Sequence, residues 1–304
     1  MRFVWSLFAL SFFVPQGFTA DEPTFTRKED VIYGRKYGTA LTLDVFTPKK
    51  GANGAGVVFV VSGGWYSDHG SINAGFLKEF LARGYTIFAV VHGSQPKFTI
   101  LEVLEDMHRS VRFIRHNAKE YGVDPERLGI SGGSAGGHLS LMIGTTGKEG
   151  NPKAKDPVDQ ESSKVAAVAC FYPPTDFLNY GEKDKEALGN GLLSGLKPPF
   201  DFMEMSQTTK RFERITDPDK LKAIGKQISP IYHITDKTPP TFIMHGDKDI
   251  SVPYQQATSM IEKLKEAKVP CALETKKDAA HGWPGLDKDI RFFADWFDQY
   301  LVKK

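Results

Sequence analysis

The sequence predicts an α/β fold: a mostly parallel central sheet with helices on both faces. Three observations carry this expectation. Residues 57–61 read Val-Val-Phe-Val-Val between glycines, the mark of a strand buried on both faces. Residues 100–121 place Leu101, Leu104, Met107, Val111 and Ile114 at helical spacing, with Gly122 to end the helix. Such strand-like and helix-like segments alternate along most of the chain, and repeated β-then-α units need right-handed crossovers and a parallel sheet.

Taken in order, residues 31–37 and 39–46 alternate around Gly38 and predict an antiparallel hairpin. The strand at 57–61 follows, then a helix at 73–83 closed by Gly84 and a strand at 85–91. After the helix at 100–121 come a strand at 127–131, a helix of small residues at 135–144 and a strand at 165–172. The remaining expectations are strands at 241–245 and 271–275 and helices at 254–267 and 287–301. Residues 176–229 break this rhythm. More than fifty residues there lack a clear strand and carry Pro198, Pro199, Phe200, Phe202, Met203 and Met205. A loop that long is rare in a compact domain unless it has a function, so a helical cap or lid insertion over a site is expected.

Composition narrows the class. A chain of 304 residues, 40% hydrophobic and 25% charged, buries a core without disulfide staples. A net charge of +2 offers no electrostatic reason to expect nucleic acid or an anionic membrane surface as a partner. Arg2, the apolar run at residues 3–14 and Ala20 read as a secretory signal peptide over residues 1–20, too short to span a bilayer. The expectation is a secreted or periplasmic protein, without stable membrane insertion after cleavage, whose single catalytic domain covers residues 21–304. Cys170 and Cys271 both lie in apolar, strand-like runs and are expected as buried free thiols.

The chemistry starts from Gly132-Gly133-Ser134-Ala135-Gly136, a G-x-S-x-G pattern between a predicted strand and a predicted helix. That turn strains the serine backbone and brings neighbouring main chain close, so small residues must flank it. A serine hydroxyl is a weak nucleophile until a base takes its proton, and the base needs a carboxylate to orient it. His281 follows the strand at 271–275 and is the candidate base. The loop after the strand at 241–245 holds Asp247 and Asp249; Asp249 is preferred as the acid, and Asp247 suits the turn. Donors for an oxyanion are expected from Ala135 and from Ser62-Gly63-Gly64-Trp65, with Trp65 against substrate. His138 reads as a packing or hydrogen-bonding residue and His245 as a brace for the acid loop. His69, His92, His108 and His116 read as solvated or structural. No spacing of His, Cys and carboxylates suggests a metal ligand set, and the chemistry requires no cofactor.

These motifs, with His245-Gly246-Asp247-Lys248-Asp249-Ile250-Ser251-Val252-Pro253 and Ala280-His281-Gly282, resemble those of α/β hydrolases. The similarity is to the hormone-sensitive-lipase-like and feruloyl/acetyl-xylan esterase (BD-FAE-like) branches. It covers roughly residues 30–304 apart from the insertion. The resemblance implies Ser134 as nucleophile, Asp249 as acid, His281 as base, and Gly63, Gly64 and Ala135 as oxyanion donors. It implies two-step acyl transfer on a small-molecule or carbohydrate ester, with His281 neutral, so that activity falls in acid. One departure stands out: the family's His-Gly-Gly-Gly loop is here Val61-Ser62-Gly63-Gly64, without the bracing histidine. Competing expectations are an arylformamidase-like amidase, a peptidase, or a non-catalytic binding protein on the same scaffold. Prolyl-peptidase relatives carry a large domain ahead of the hydrolase domain, and too few residues precede Val31 for one. Binding proteins on this scaffold usually lose a member of the triad.

Overall fold

The computed structural model describes residues 24–302, so the apolar segment at residues 1–20 lies outside the described residues. Among the described residues ten strands are formed: β1 (Phe25–Lys36), β2 (Thr39–Pro48), β3 (Gly56–Val61), β4 (Thr86–Val91), β5 (Leu128–Gly133), β6 (Ala167–Phe171), β7 (Met203–Met205), β8 (Phe212–Arg214), β9 (Thr241–Gly246) and β10 (Cys271–Lys276). The helices are α1 (Lys78–Ala82), α2 (Ile100–His116), α3 (Ala135–Thr146), α4 (Pro218–Gln227), α5 (Gln255–Glu266) and α6 (Leu286–Phe297). Eight strands make one sheet in the order β1-β2-β4-β3-β5-β6-β9-β10. From β4 to β10 the neighbours are parallel, while the β1–β2 and β2–β4 pairs are antiparallel. The α/β-hydrolase fold expected from the sequence is present.

Alternation along the central strands explains why they read as unbroken apolar runs. Val58 and Val60 of β3 face one hydrophobic layer with Met107 of α2, Leu139 of α3 and Met260 of α5. Val57 and Val61 face the other, with Phe80 of α1 and Ile290, Phe293 and Phe297 of α6. Both sides of each strand are therefore removed from water. Cys170 contributes to the first layer as a buried thiol, raised by burial; Cys271, on the edge strand β10, is half-buried, and neither forms a disulfide. Among the described residues, no helix is long and apolar enough to cross a membrane.

Two expectations are corrected. Strand β1 begins at Phe25 instead of residue 31, because its first half is charged and exposed on the sheet edge, where charge suits an unpaired strand side. Register shifts between Lys28 and Val31 and between Ile32 and Gly34 also interrupt the alternation that would reveal it. The segment at 176–229 is not a helical cap. It contains 3₁₀ turns at Gly191–Leu193 and Pro198–Phe200, the β7–β8 hairpin and only one α-helix, α4. Its glycines and prolines disfavour longer helices.

Candidate active site

Ser134 sits between β5 and α3 at φ 54° and ψ −119°, a backbone conformation that costs a non-glycine residue roughly 1–3 kcal/mol. The surroundings hold it there. Its N–H donates to the Phe171 carbonyl across 3.0 Å. A Cβ on Gly132 would lie 2.7 Å from the Gly136 carbonyl carbon, and one on Gly136 would lie 2.8 Å from the Val60 carbonyl oxygen. Only glycine lets the strand, the turn and α3 approach so closely.

The three residues that sequence reasoning selected come together here. Ser134 Oγ lies 2.9 Å from His281 Nε2, and His281 Nδ1 lies 2.7 Å from Asp249 Oδ2. Because a carboxylate accepts, Nδ1 carries the proton and Nε2 presents its lone pair to the serine hydroxyl. Asp249 is buried, and its Oδ1 accepts the N–H groups of Ser251 and Val252, each across 2.9 Å. Burial acts to raise its pKa, but hydrogen bonds from His245, His281 and the Val252 N–H outweigh it and hold the carboxyl well below the usual carboxylate range. His245 braces this loop: its Nε2 is 2.8 Å from the Val252 carbonyl and 3.2 Å from Asp249 Oδ2. Asp247 serves the neighbouring turn, accepting the Asp278 N–H across 2.7 Å and tying the acid loop to the loop that carries His281.

The loop after β3 presents a different set of donors from that expected. The Gly63 N–H is occupied by the Tyr66 carbonyl at 3.0 Å, which closes a tight turn. The amides of Gly64 and Ala135 have no partner among the described residues and flank Ser134. Ser62 is not among the residues of positive φ, so its Cβ brings no backbone strain. The missing histidine brace is supplied from elsewhere in the chain. His92, at the end of β4, places Nε2 2.8 Å from Ser62 Oγ, and its Nδ1 is 2.7 Å from the Gly93 carbonyl. Ser67 Oγ in turn donates to the Val61 carbonyl and accepts the His92 N–H.

The sequence model of the BD-FAE family matches residues 43–264, a span that includes the Ser62–Trp65 loop, Ser134 and Asp249. The chain belongs to the BD-FAE family. It is 29% identical over 242 residues to the probable carboxylic ester hydrolase LipM of Mycobacterium tuberculosis (strain ATCC 25618 / H37Rv), covering 78% of this chain and 51% of LipM. The chain thus spans about half the length of the curated relatives it matches first. A truncated carbohydrate esterase from gut microbiota superposes with a TM-score of 0.73 at 23% identity, over 93% of this chain and 99% of that one. An acetyl ester-xyloside bifunctional hydrolase from Caldicellulosiruptor lactoaceticus gives 0.71 at 21% identity, over 89% and 95%. These two structures establish likeness of fold.

In this BD-FAE member, the pocket at Ser134 has a volume of about 590 Å³. Phe59, Phe76, Phe171 and Leu286 give it an apolar wall; Ser71, Asn73, Tyr172 and His281 add polar atoms. Trp65 is not part of it, which corrects the expected substrate contact. Trp65 is only 2% exposed, and its Nε1–H donates to His138 Nδ1 across 3.1 Å. Its ring packs edge-on against Phe200 at 5.2 Å and tilted against Phe177 at 5.8 Å. The insertion therefore lies behind the Ser62–Trp65 loop; its residues line none of the Ser134 pocket, and Phe177, Tyr180, Phe200 and Phe202 are core, while Phe212 is exposed. Two functional neighbours escaped sequence reasoning. Tyr172 follows the carboxyl end of β6, and its position beyond a strand end beside the elbow strand was the available signal. His92 gave none, since a lone histidine after a strand is usually structural. Among the described residues, one group of three potential metal ligands exists, Glu29, Asp44 and His69, outside this pocket, with the Arg27 guanidinium already 2.6 Å from Asp44.

Proposed function

We propose that this protein hydrolyses carboxylic esters through a Ser134–His281–Asp249 triad and a covalent acyl-enzyme. The observation that carries the reading is the continuous Ser134–His281–Asp249 hydrogen-bond chain built on a strained serine turn at the rim of an open pocket. His281 Nε2 takes the proton from Ser134 Oγ as that oxygen attacks the ester carbonyl. The tetrahedral oxyanion accepts hydrogen bonds from the Gly64 and Ala135 amides, while the Gly63 amide holds the turn that aims them. Nε2 then returns the proton to the departing alcohol oxygen, and water repeats the sequence on the acyl-enzyme.

The acyl group is assigned to the apolar wall formed by Phe59 and Phe76, and the pocket volume lies within the range of sites for small ligands. Acetyl and feruloyl esters of carbohydrate are the proposed substrates. Family membership supports esters of this kind, and the volume accommodates an aromatic acid. Export through a cleaved N-terminal segment is part of the same reading, supported by the apolar stretch after Arg2.

The first test is turnover of p-nitrophenyl acetate, butyrate and octanoate and of methyl ferulate by the wild type and Ser134→Ala. Loss of roughly a thousandfold or more in kcat is expected for the variant, and the ranking of substrates selects the acyl class. Equal background rates in both proteins would sink the proposal. Intact mass of the protein recovered outside the cytoplasm tests export: it should lack about the first twenty residues, and a full-length chain retained inside cells would contradict it.

A further inference from the structure

One polar group in the Ser134 pocket has no task in the reaction as described. Tyr172 lines that pocket, and its hydroxyl has no hydrogen-bond partner among the described residues. Its position is firmly set. The backbone is held at φ 33°, with the N–H donated to the Met244 carbonyl across 2.8 Å. The ring lies 4.4 Å from that of His281 and 5.7 Å edge-on from Trp283. A Cβ added to Gly133 would come within 3.4 Å of the hydroxyl oxygen, so the phenol reaches over the backbone just ahead of Ser134. A non-glycine residue at positive φ is a strained choice, and strain of this kind persists where the surroundings over-determine it.

The side of the pocket matters. His281 must hand its proton to the departing alcohol oxygen, so the alcohol portion of the ester leaves past the imidazole. Tyr172 is tilted against that imidazole, with the ring centroids 4.4 Å apart, whereas the apolar rings of Phe59 and Phe76, themselves 6.5 Å apart, belong to the β3 strand and the turn before α1. Resting on the esterase reading above, we propose that Tyr172 is a specificity-determining residue. Its free hydroxyl hydrogen-bonds a polar group on the alcohol portion, so that esters of hydroxyl-bearing alcohols are preferred over esters of simple alkyl alcohols. Tyr172 is half-buried, and an alkyl chain lying over its hydroxyl would strip it of water without replacing the hydrogen bond, which disfavours the alkyl ester as well.

The test compares kcat/KM for glycerol monoacetate and for propyl acetate, which share an acyl group and differ in the hydroxyls of the alcohol. The wild type should favour the glycerol ester roughly three- to tenfold, and Tyr172→Phe should reduce that ratio to near one, as expected for a single neutral hydrogen bond. Parity between the two esters in the wild type overturns the proposal even if the variant fails to fold. An unchanged ratio in a folded Tyr172→Phe overturns it too. Turnover of p-nitrophenyl acetate, whose leaving group needs no such contact, is measured alongside. Its absence in the wild type means that the esterase reading has failed; its presence without alcohol discrimination means that only the Tyr172 assignment has failed.

Discussion

Asp247 and Asp249 stand two residues apart in one turn, yet the structure gives them different work. Asp249 is enclosed, accepts two backbone N–H groups and meets His281, while the Asp247 carboxylate accepts the Asp278 N–H at the surface. The difference follows from which side of the turn each side chain leaves. Asp249→Asn should therefore lower kcat by up to about 10⁴, since the amide cannot hold the imidazole in the required tautomer. Asp247→Asn keeps an acceptor oxygen and should stay within about tenfold of the wild type. Steady-state kinetics on p-nitrophenyl acetate with both variants separates the two roles, and a similar loss in each would remove Asp249 from its assigned place.

At the scale of elements, the loop after β3 is the clearest case of a site held from behind. Gly64 and Trp65 both lie at positive φ, 55° and 59°, and a tryptophan there needs strong anchoring. The anchors are the Trp65–His138 hydrogen bond, the rings of Phe177 and Phe200, and Gln95, whose side chain donates to the Gly64 carbonyl across 2.9 Å. His138 is itself pinned to the insertion, with Nε2 2.7 Å from the Ile228 carbonyl. Trp65→Phe keeps most of the packing but leaves His138 Nδ1 buried without a donor, a loss of about 1–3 kcal/mol. Because the same loop aims the Gly64 amide, kcat should fall about tenfold while KM changes little. Thermal unfolding and a kcat–KM comparison check this, and a variant with wild-type Tm and kcat would show that the loop holds its shape without the indole N–H.

For the whole molecule, the two hydrophobic layers impose a pH dependence on folding. Burial lowers His138 to about 4, against the weaker opposing pull of the Ile228 carbonyl. Burial lowers His92 to about 4, with the Lys36 charge adding to it. His108 is also lowered to about 4, by burial and then by the charges of Lys148 and Arg112. For His138 the geometry gives the reason: a second ring proton would oppose the Trp65 N–H. In each case the unfolded chain binds a proton near pH 6.5 that the folded chain refuses until about pH 4. Stability is complete above pH 6.5 and declines as pH falls toward 4, by on the order of 3 kcal/mol for a fully buried histidine. Tm should accordingly drop several degrees between pH 7.5 and pH 5.0, and His138→Gln should show a smaller drop than the wild type. A Tm independent of pH over that interval would contradict the account.

Much of this architecture was legible in the amino-acid order because it rests on local chemistry. Strands buried on both faces must be apolar throughout, helices must show their period, and a strained serine turn must be lined by glycine; each requirement leaves its mark in consecutive residues. The meeting of Ser134, Asp249 and His281 was legible for the same reason, each sitting in a short motif just beyond a strand end. What the order of residues left open were contacts between segments far apart. That Trp65 packs into the core and not against substrate depends on Phe177 and Phe200, more than a hundred residues away. That Gly63 spends its amide on a turn, that His92 takes over the bracing of Ser62, and that Tyr172 tilts against the His281 ring follow likewise from tertiary packing. Periodicity and motif spacing encode which face a residue presents to its own element. Only the folded chain decides which distant side chain occupies the space opposite.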